Sequence, residues 1–149
     1  MESHSEYDIF LAEMAVAAMP YHNKMNKKVP VYWEECSLHS WLLDCFVKEL
    51  TDTGKCSNIA EISIPTIEQI CRWFPEREKR ICKASDYAKH LDIALFPPHD
   101  DICCYWLQDS GRREGYSATV VLSNGTIYNS AYMSAGNVGV RPCIKVRKG

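Results

Sequence analysis

The sequence has no C-x-x-C pair, no H-E-x-x-H run, no G-x-S-x-G elbow and no caspase-like or papain-like cysteine context. Each of those patterns sets a nucleophile or metal ligand beside its activating partner, so no catalytic constellation can be read from the chain. Glycine is scarce, at 7 positions mostly in the last third, and no Gly-rich loop is available to cradle phosphate. There is also no basic stripe: up to Pro75 there are 6 Lys+Arg against 11 Asp+Glu, and beyond it 11 against 8. Phosphate-driven nucleic-acid binding needs concentrated positive charge, and this distribution argues against it. Long apolar runs are missing as well. Ile9 to Met19 comes nearest, but Glu2, Glu6 and Asp8 precede it and Glu13 interrupts it, unlike a secretory leader with its basic start and unbroken core. It is too short to span a bilayer. No membrane association and cytoplasmic residence are the resulting expectations.

What is present is one domain's worth of chain: 149 residues, 46% hydrophobic, with a formal net charge of -2. The whole of 1–149 is read as a single domain. Cysteine is plentiful, at positions 36, 45, 56, 71, 82, 103, 104 and 143, without paired spacing. In a reducing compartment such residues act as small buried hydrophobes, and no metal or other cofactor is expected. A zinc site would have to gather scattered cysteines with His90 or His99. Adjacent Cys103 and Cys104 are a poor chelate, because successive strand side chains point to opposite faces.

Periodicity divides the chain into a helical first part and a stranded last third. Asp8 to Leu11 reads as a short strand entering a helical turn through Met19 that Pro20 stops. Ser37 is the expected N-cap of a helix through Leu50, with Leu38, Trp41, Leu42, Cys45 and Phe46 as its core stripe. Thr66 and Gln69 form a capping box after Pro65, and a further helix starts at Ser85. After Tyr105 the period becomes two, and Asn124-Gly125 predicts a two-residue type I′ hairpin. That loop would pair Leu122 with Ile127, Val121 with Tyr128, Val120 with Asn129 and Ala118 with Ala131. Val120, Leu122, Ile127 and the alanines then form the core face, with Thr119, Val121, Tyr128 and Ser130 opposite. Asn129 must find hydrogen-bond partners on that face or mark a bulge. Val138 to Val146 closes the chain as a strand whose Pro142 belongs at an edge or a bulge. Trp41 and Trp106 are the expected core anchors. The sum is an α+β fold with short helices packed to one side of a twisted antiparallel sheet.

The stretch YWLQDSGRREGYSATVVLSNGTIYNSAYMSAGNVGVRP, from Tyr105 to Pro142, resembles the C-terminal half of a C-type-lectin-like domain from an uncharacterised family of bacteria and their phages. That family runs W-L-R-S-P-G, a hairpin around a Gly turn, then G-V-R-P. PYHNK, WEECSLHSWL, IPTIEQICRWF and ICKASDYAKHL are similar to its upstream segments in the same order, so the likeness covers nearly the whole chain. Two departures stand out. Gln108, Asp109 and Ser110 replace the family's Arg, Ser and Pro, and the one or two strands that usually open the family are not evident before Tyr7.

The resemblance implies a C-type-lectin-like, N-terminally truncated fold and a non-enzymatic domain that recognises a protein ligand. The E-P-N, Q-P-D and W-N-D stretches of calcium-dependent lectins are missing, and Asp100-Asp101 alone reads as a solvated turn. Distant members of the superfamily include formylglycine-generating enzymes, the sulfatase-modifying factors, which hold copper with a cysteine pair. Cys103, Cys104 and Cys143 invite that comparison, but their surroundings do not match. In the family the C-terminal loops and hairpin form the ligand face, which here places Tyr105, Gln108, Arg112, Arg113, Tyr116, Tyr128, Tyr132 and Asn137 as the ligand-binding residues. Tyr and Arg give large contact area for little entropy loss. Arg141, within G-V-R-P, is expected to be structural, bonding loop carbonyls. A phage-encoded inhibitor of a host defence enzyme is the alternative function, ahead of a zinc-stabilised domain or a copper or thiol enzyme. A sheet lacking opening strands would expose an edge, so a two-fold homodimer is expected, unless Met1 to Tyr7 or the charged tail folds back over it.

Overall fold

The computed structural model describes residues 2–3, 6–23, 29–54 and 58–148, with the backbone alone at 2–3. Cys56, Lys24 of the PYHNK segment, and Met1, His4, Ser5 and Gly149 of the termini lie outside the described residues. The architecture is α+β: short helices among three mixed or antiparallel sheets. One sheet joins the two ends of the chain. Strand β2 (Tyr7–Leu11) pairs antiparallel with β12 (Cys143–Arg147), from Leu11 opposite Cys143 to Tyr7 opposite Arg147. Strand β5 (Ile59–Ser63) flanks β12, and β1 (Glu2–Ser3) flanks β2. The edge from which dimerisation was expected is thus occupied at Asp8 and Ile9 by Ser3 and Glu2.

Two expectations for the N-terminal segment part here. The strand is formed, but the helical turn through Met19 is replaced by β3 (Met14–Ala15) and β4 (Ala17–Ala18). Alanine is the best helix former, yet its small size serves another end in this segment. The chain passes so close to Gly139 that a Cβ there would meet the Ala15 Cβ at 2.8 Å and the Cys104 carbonyl at 2.9 Å. Strand β3 runs parallel to β6 (Cys82–Ala84), which pairs with β7 (Ile102–Cys103); β4 pairs with β11 (Gly139–Val140).

The larger sheet runs β10 (Ile127–Ala131), β9 (Ala118–Val121), β8 (Tyr105–Ser110), β11, β4. The expected closing strand is therefore two strands in two sheets. Pro142 stands at the transfer, where a missing N–H costs no ladder bond, and its carbonyl accepts from the Ala12 amide at 2.9 Å.

Both faces of this sheet are covered, which corrects the one-sided arrangement. Along β8, Trp106 joins one core with Leu38, Leu42, Ile62 and Val120. Tyr105 and Leu107 join another with Ile70, Cys82, Cys103 and Val121. Helices serve each: Leu38 and Leu42 the first, and Ile70 of α3 (Ile67–Trp73) the second. Thr119 and Val121, expected away from the core, are both 0% exposed. A strand between two covered faces buries every side chain.

The hairpin is displaced by one residue near its tip. Gly125 alone has positive φ, +87°, and residues 123–125 form a three-residue loop closed by Gly125 N–H to the Leu122 carbonyl, 2.8 Å. This is the type I turn with a glycine bulge rather than the two-residue turn. Val121 therefore faces Ile127 and Val120 faces Tyr128. An irregularity between Tyr128 and Ala131 restores the expected pairing of Ala118 with Ala131. Asn129 lies in that bulge.

The Thr66/Gln69 capping box is formed, at 3.1 and 2.9 Å, and Ser85 caps α4 (Asp86–Lys89). The long helix differs in two ways. Its N-cap is Cys36, whose Sγ accepts from the His39 amide at 3.4 Å, while Ser37 is already helical. Its middle, Leu42–Phe46, is a π-turn between α1 (Ser37–Trp41) and α2 (Val47–Asp52). The additional residue per turn rotates the stripe, so Cys45 is exposed and Val47 packs inward in its place. Trp41 is consequently half-buried and stacked on Phe46, not a core anchor. Trp106 is: it is 0% exposed and donates its indole N–H to the Met19 carbonyl at 2.8 Å. Trp106→Ala should lower unfolding free energy by about 3–5 kcal/mol, and Trp41→Ala by clearly less, as read from urea midpoints.

Candidate functional site

The segment between β8 and β9 is tied down by its own backbone. Gly111 N–H donates to the Ser117 carbonyl at 2.8 Å, and Arg113 N–H to Ser117 Oγ at 2.9 Å. A side chain at Gly111 would collide with the Asn129 carbonyl and Ser117 Oγ, so this crossing needs glycine. Gly115, at φ +80°, abuts Pro30, and its carbonyl accepts from the Val31 amide at 2.7 Å. The bulge at Asn129 has a purpose: its carbonyl accepts the Arg112 amide at 2.6 Å, clamping the loop to β10.

A cavity of about 360 Å³ opens beside this clamp, lined by Arg112, Arg113, Tyr116, Ser117, Ser130, Ala131 and Tyr132. Four of the eight expected ligand-binding residues, Arg112, Arg113, Tyr116 and Tyr132, are thus brought together. Both guanidiniums are exposed, and neither makes an ion pair among the described residues. Arg113 lies over the Tyr116 ring at 6.0 Å, and Tyr132 is 82% exposed. Ser117, Ser130 and Ala131 are the lining residues that sequence reasoning missed; for Ser130, its place on the outward hairpin face with Tyr128 was the available signal.

The other four part ways. Tyr105 is 0% exposed and its hydroxyl donates to the Arg80 carbonyl at 2.7 Å, which removes it from any ligand face. Gln108 is half-buried, its Nε2 donating to the Ile64 carbonyl at 2.8 Å while its own carbonyl accepts from the Tyr21 hydroxyl at 2.8 Å. Neither lines the cavity beside the clamp. Tyr128 and Asn137 are exposed but do not line the cavity.

Arg141 takes the structural part expected of it. Nearly buried, it donates from Nε to the Ala12 carbonyl at 2.7 Å and from Nη1 to the Tyr105 hydroxyl at 3.2 Å. Its guanidinium sits 5.2 Å from the Tyr105 ring centroid and 5.6 Å from that of Phe74. Cys82 and Cys103 pair across β6 and β7 close by. A hydrogen bond from the Cys103 thiol pulls Cys82 down from its ordinary pKa, and the same bond, then burial, pushes Cys103 up. Burial also raises Cys36 and Cys143, each to about 11, and Tyr105 to about 12.

Chemically, the cavity presents two unneutralised guanidiniums, two phenols and two hydroxyls, with neither a carboxylate nor an imidazole from the described residues in its lining. That set binds anions and planar groups and has no acid–base pair. Among the described residues no three His, Cys, Asp or Glu side chains are grouped as metal ligands would be. No helix among them is long and apolar enough to cross a membrane. Comparison with protein-family models, curated proteins and solved structures finds no match to this chain.

Two predictions follow from the buried groups. Arg141→Lys should destabilise by about 2–3 kcal/mol in urea unfolding, because an ammonium cannot reach both acceptors and stack on two rings. Cys36 and Cys143 hold their protons up to about pH 11 when folded but lose them near 9 when unfolded. Their contribution is complete below pH 9 and lost as pH climbs to 11, so the urea midpoint should fall across that window. Cys36→Ala should make the fall shallower.

Proposed function

We propose that this chain is a non-enzymatic recognition domain of C-type-lectin-like type, binding a protein partner through the Arg112–Arg113–Tyr116–Tyr132 cavity. The observation that carries the reading is that cavity itself. A self-clamped loop and a bulged strand hold two unpaired guanidiniums and two tyrosines together at the surface. A backbone already held in place loses little entropy on binding, and Tyr and Arg are the residues that concentrate binding energy at interfaces. The order of segments from the Trp-Leu strand to Gly-Val-Arg-Pro supports the lectin-like assignment, in which this end of the chain is the ligand face. The expected face contracts from eight residues to four, because Tyr105 and Gln108 serve the core and Tyr128 and Asn137 stand outside the cavity. The cytoplasm is the proposed compartment.

The test compares partner capture by the wild-type chain, an Arg113→Glu/Tyr132→Ala variant and a control, Tyr128→Ala, exposed but outside the cavity. A protein held by wild type and control should lose about 2 kcal/mol or more of binding to the cavity variant, with thermal stability unchanged. Equal capture by all three would overturn the assignment.

A further inference from the structure

A second cavity, of about 450 Å³, lies along the π-turn helix and shares no residue with the C-terminal loops. Its lining includes Trp41, Cys45, Phe46, Glu49, Leu50, Ser85 and Tyr87, and among the described residues no lysine, arginine or histidine lines it. Its size falls within the range of about 300–1,000 Å³ typical of small-molecule sites.

Three observations point to one kind of ligand. The π-turn builds the cavity: by rotating the helix it takes Cys45 out of the core stripe and stacks Phe46 on Trp41, centroids 5.6 Å apart at 29°. Such turns interrupt the regular hydrogen-bond ladder and recur at functional sites. The aromatic content is high and accessible, with Tyr87 65% exposed in the same lining as two half-buried rings. Aromatic faces carry negative charge density and attract cations, most strongly when nothing basic competes. Among the described residues Glu49 is the only charged one in the lining, and it is exposed and makes no ion pair with any of them. An apolar ligand would leave that carboxylate idle, and an inorganic cation would find a single carboxylate.

We propose that this groove binds a small organic cation, a substituted ammonium, with Trp41, Phe46 and Tyr87 supplying the π faces and Glu49 the counter-charge. The proposal is independent of the protein-recognition reading and stands on different residues.

Choline and its uncharged isostere 3,3-dimethylbutan-1-ol are titrated against the full chain, read by tryptophan fluorescence and by calorimetry. Alkylation of Cys45, followed by peptide mass spectrometry, gives a local readout. Choline should bind saturably in the millimolar range, slow Cys45 alkylation, and exceed the isostere by about tenfold, the worth of cation–π attraction. Glu49→Gln, a change at an exposed position, should weaken choline about two- to fivefold with unchanged circular dichroism and leave the isostere unaffected. Trp41→Ala should remove choline binding, and Trp41→Phe should retain part of it. An N-acetyl-trimethyllysine amide distinguishes the source: tighter binding than choline marks a partner's side chain, weaker binding a free ligand. Equal affinity for choline and isostere, an unaltered Cys45 rate, or no saturation by about 50 mM choline, where even a weak cation–π site would be filled, would overturn the proposal.

Discussion

Arg141 sits where the chain leaves one sheet for another, and its side chain holds both sheets to the N-terminal segment. Burying a guanidinium is costly unless its donors and its charge are answered. Here the Ala12 carbonyl and the Tyr105 hydroxyl take the donors, and the rings of Tyr105 and Phe74 answer the charge. The Tyr105 hydroxyl in turn donates to the Arg80 carbonyl, and Arg80 donates from Nε to the Phe74 carbonyl at 2.9 Å. One side chain thus links the connection after β2, the start of β8, the end of α3 and the turn before β6. The next residue, Pro142, lets the strand change sheets without an orphaned amide.

That crossing dictates the two-sided core. With β11 in the larger sheet and β12 in the smaller, the alternating side chains of β8 and β9 must be covered on both faces. A strand so placed cannot spare residues for a ligand, which is why Tyr105 belongs to the interior although its neighbours in sequence lead to an exposed loop. The cavity proposed for recognition lies where coverage ends, on the clamped loop, the outer half of β10 and the residue that follows it.

The cavity beside the hairpin and the one along the π-turn helix have opposite chemistry. One gathers two guanidiniums at the hairpin; the other sets aromatic rings around a lone carboxylate on a π-turned helix. Each rests on a local departure from regular structure, the bulge at Asn129 and the π-turn at Leu42–Phe46. Both departures cost ladder geometry, and both turn side chains outward that a regular element would have placed otherwise.

Features whose physics is complete within a few residues were legible in the sequence. The Thr66/Gln69 capping box, the Ser85 cap, the glycine-turned hairpin and the adjacency of Arg112 and Arg113 are of this kind, since cap and turn bonds span only a few positions. Trp106 in the core and the structural role of Arg141 were also legible, because a large apolar ring and a lone arginine between Val and Pro leave few alternatives. Other features were settled by what lies on the far side of an element. Ala15 and Ala17 became strand because β6 and β11 offer them ladder partners there. Thr119 and Val121 were buried because a second core covers their face. The hairpin register slipped by one and was restored at Asn129 because the neighbouring loop needed that carbonyl, and Cys36 rather than Ser37 became the cap. Sequence periodicity records which side chains share a face, but the packing partner that gives the face its meaning comes from residues far along the chain, and only the tertiary structure supplies it.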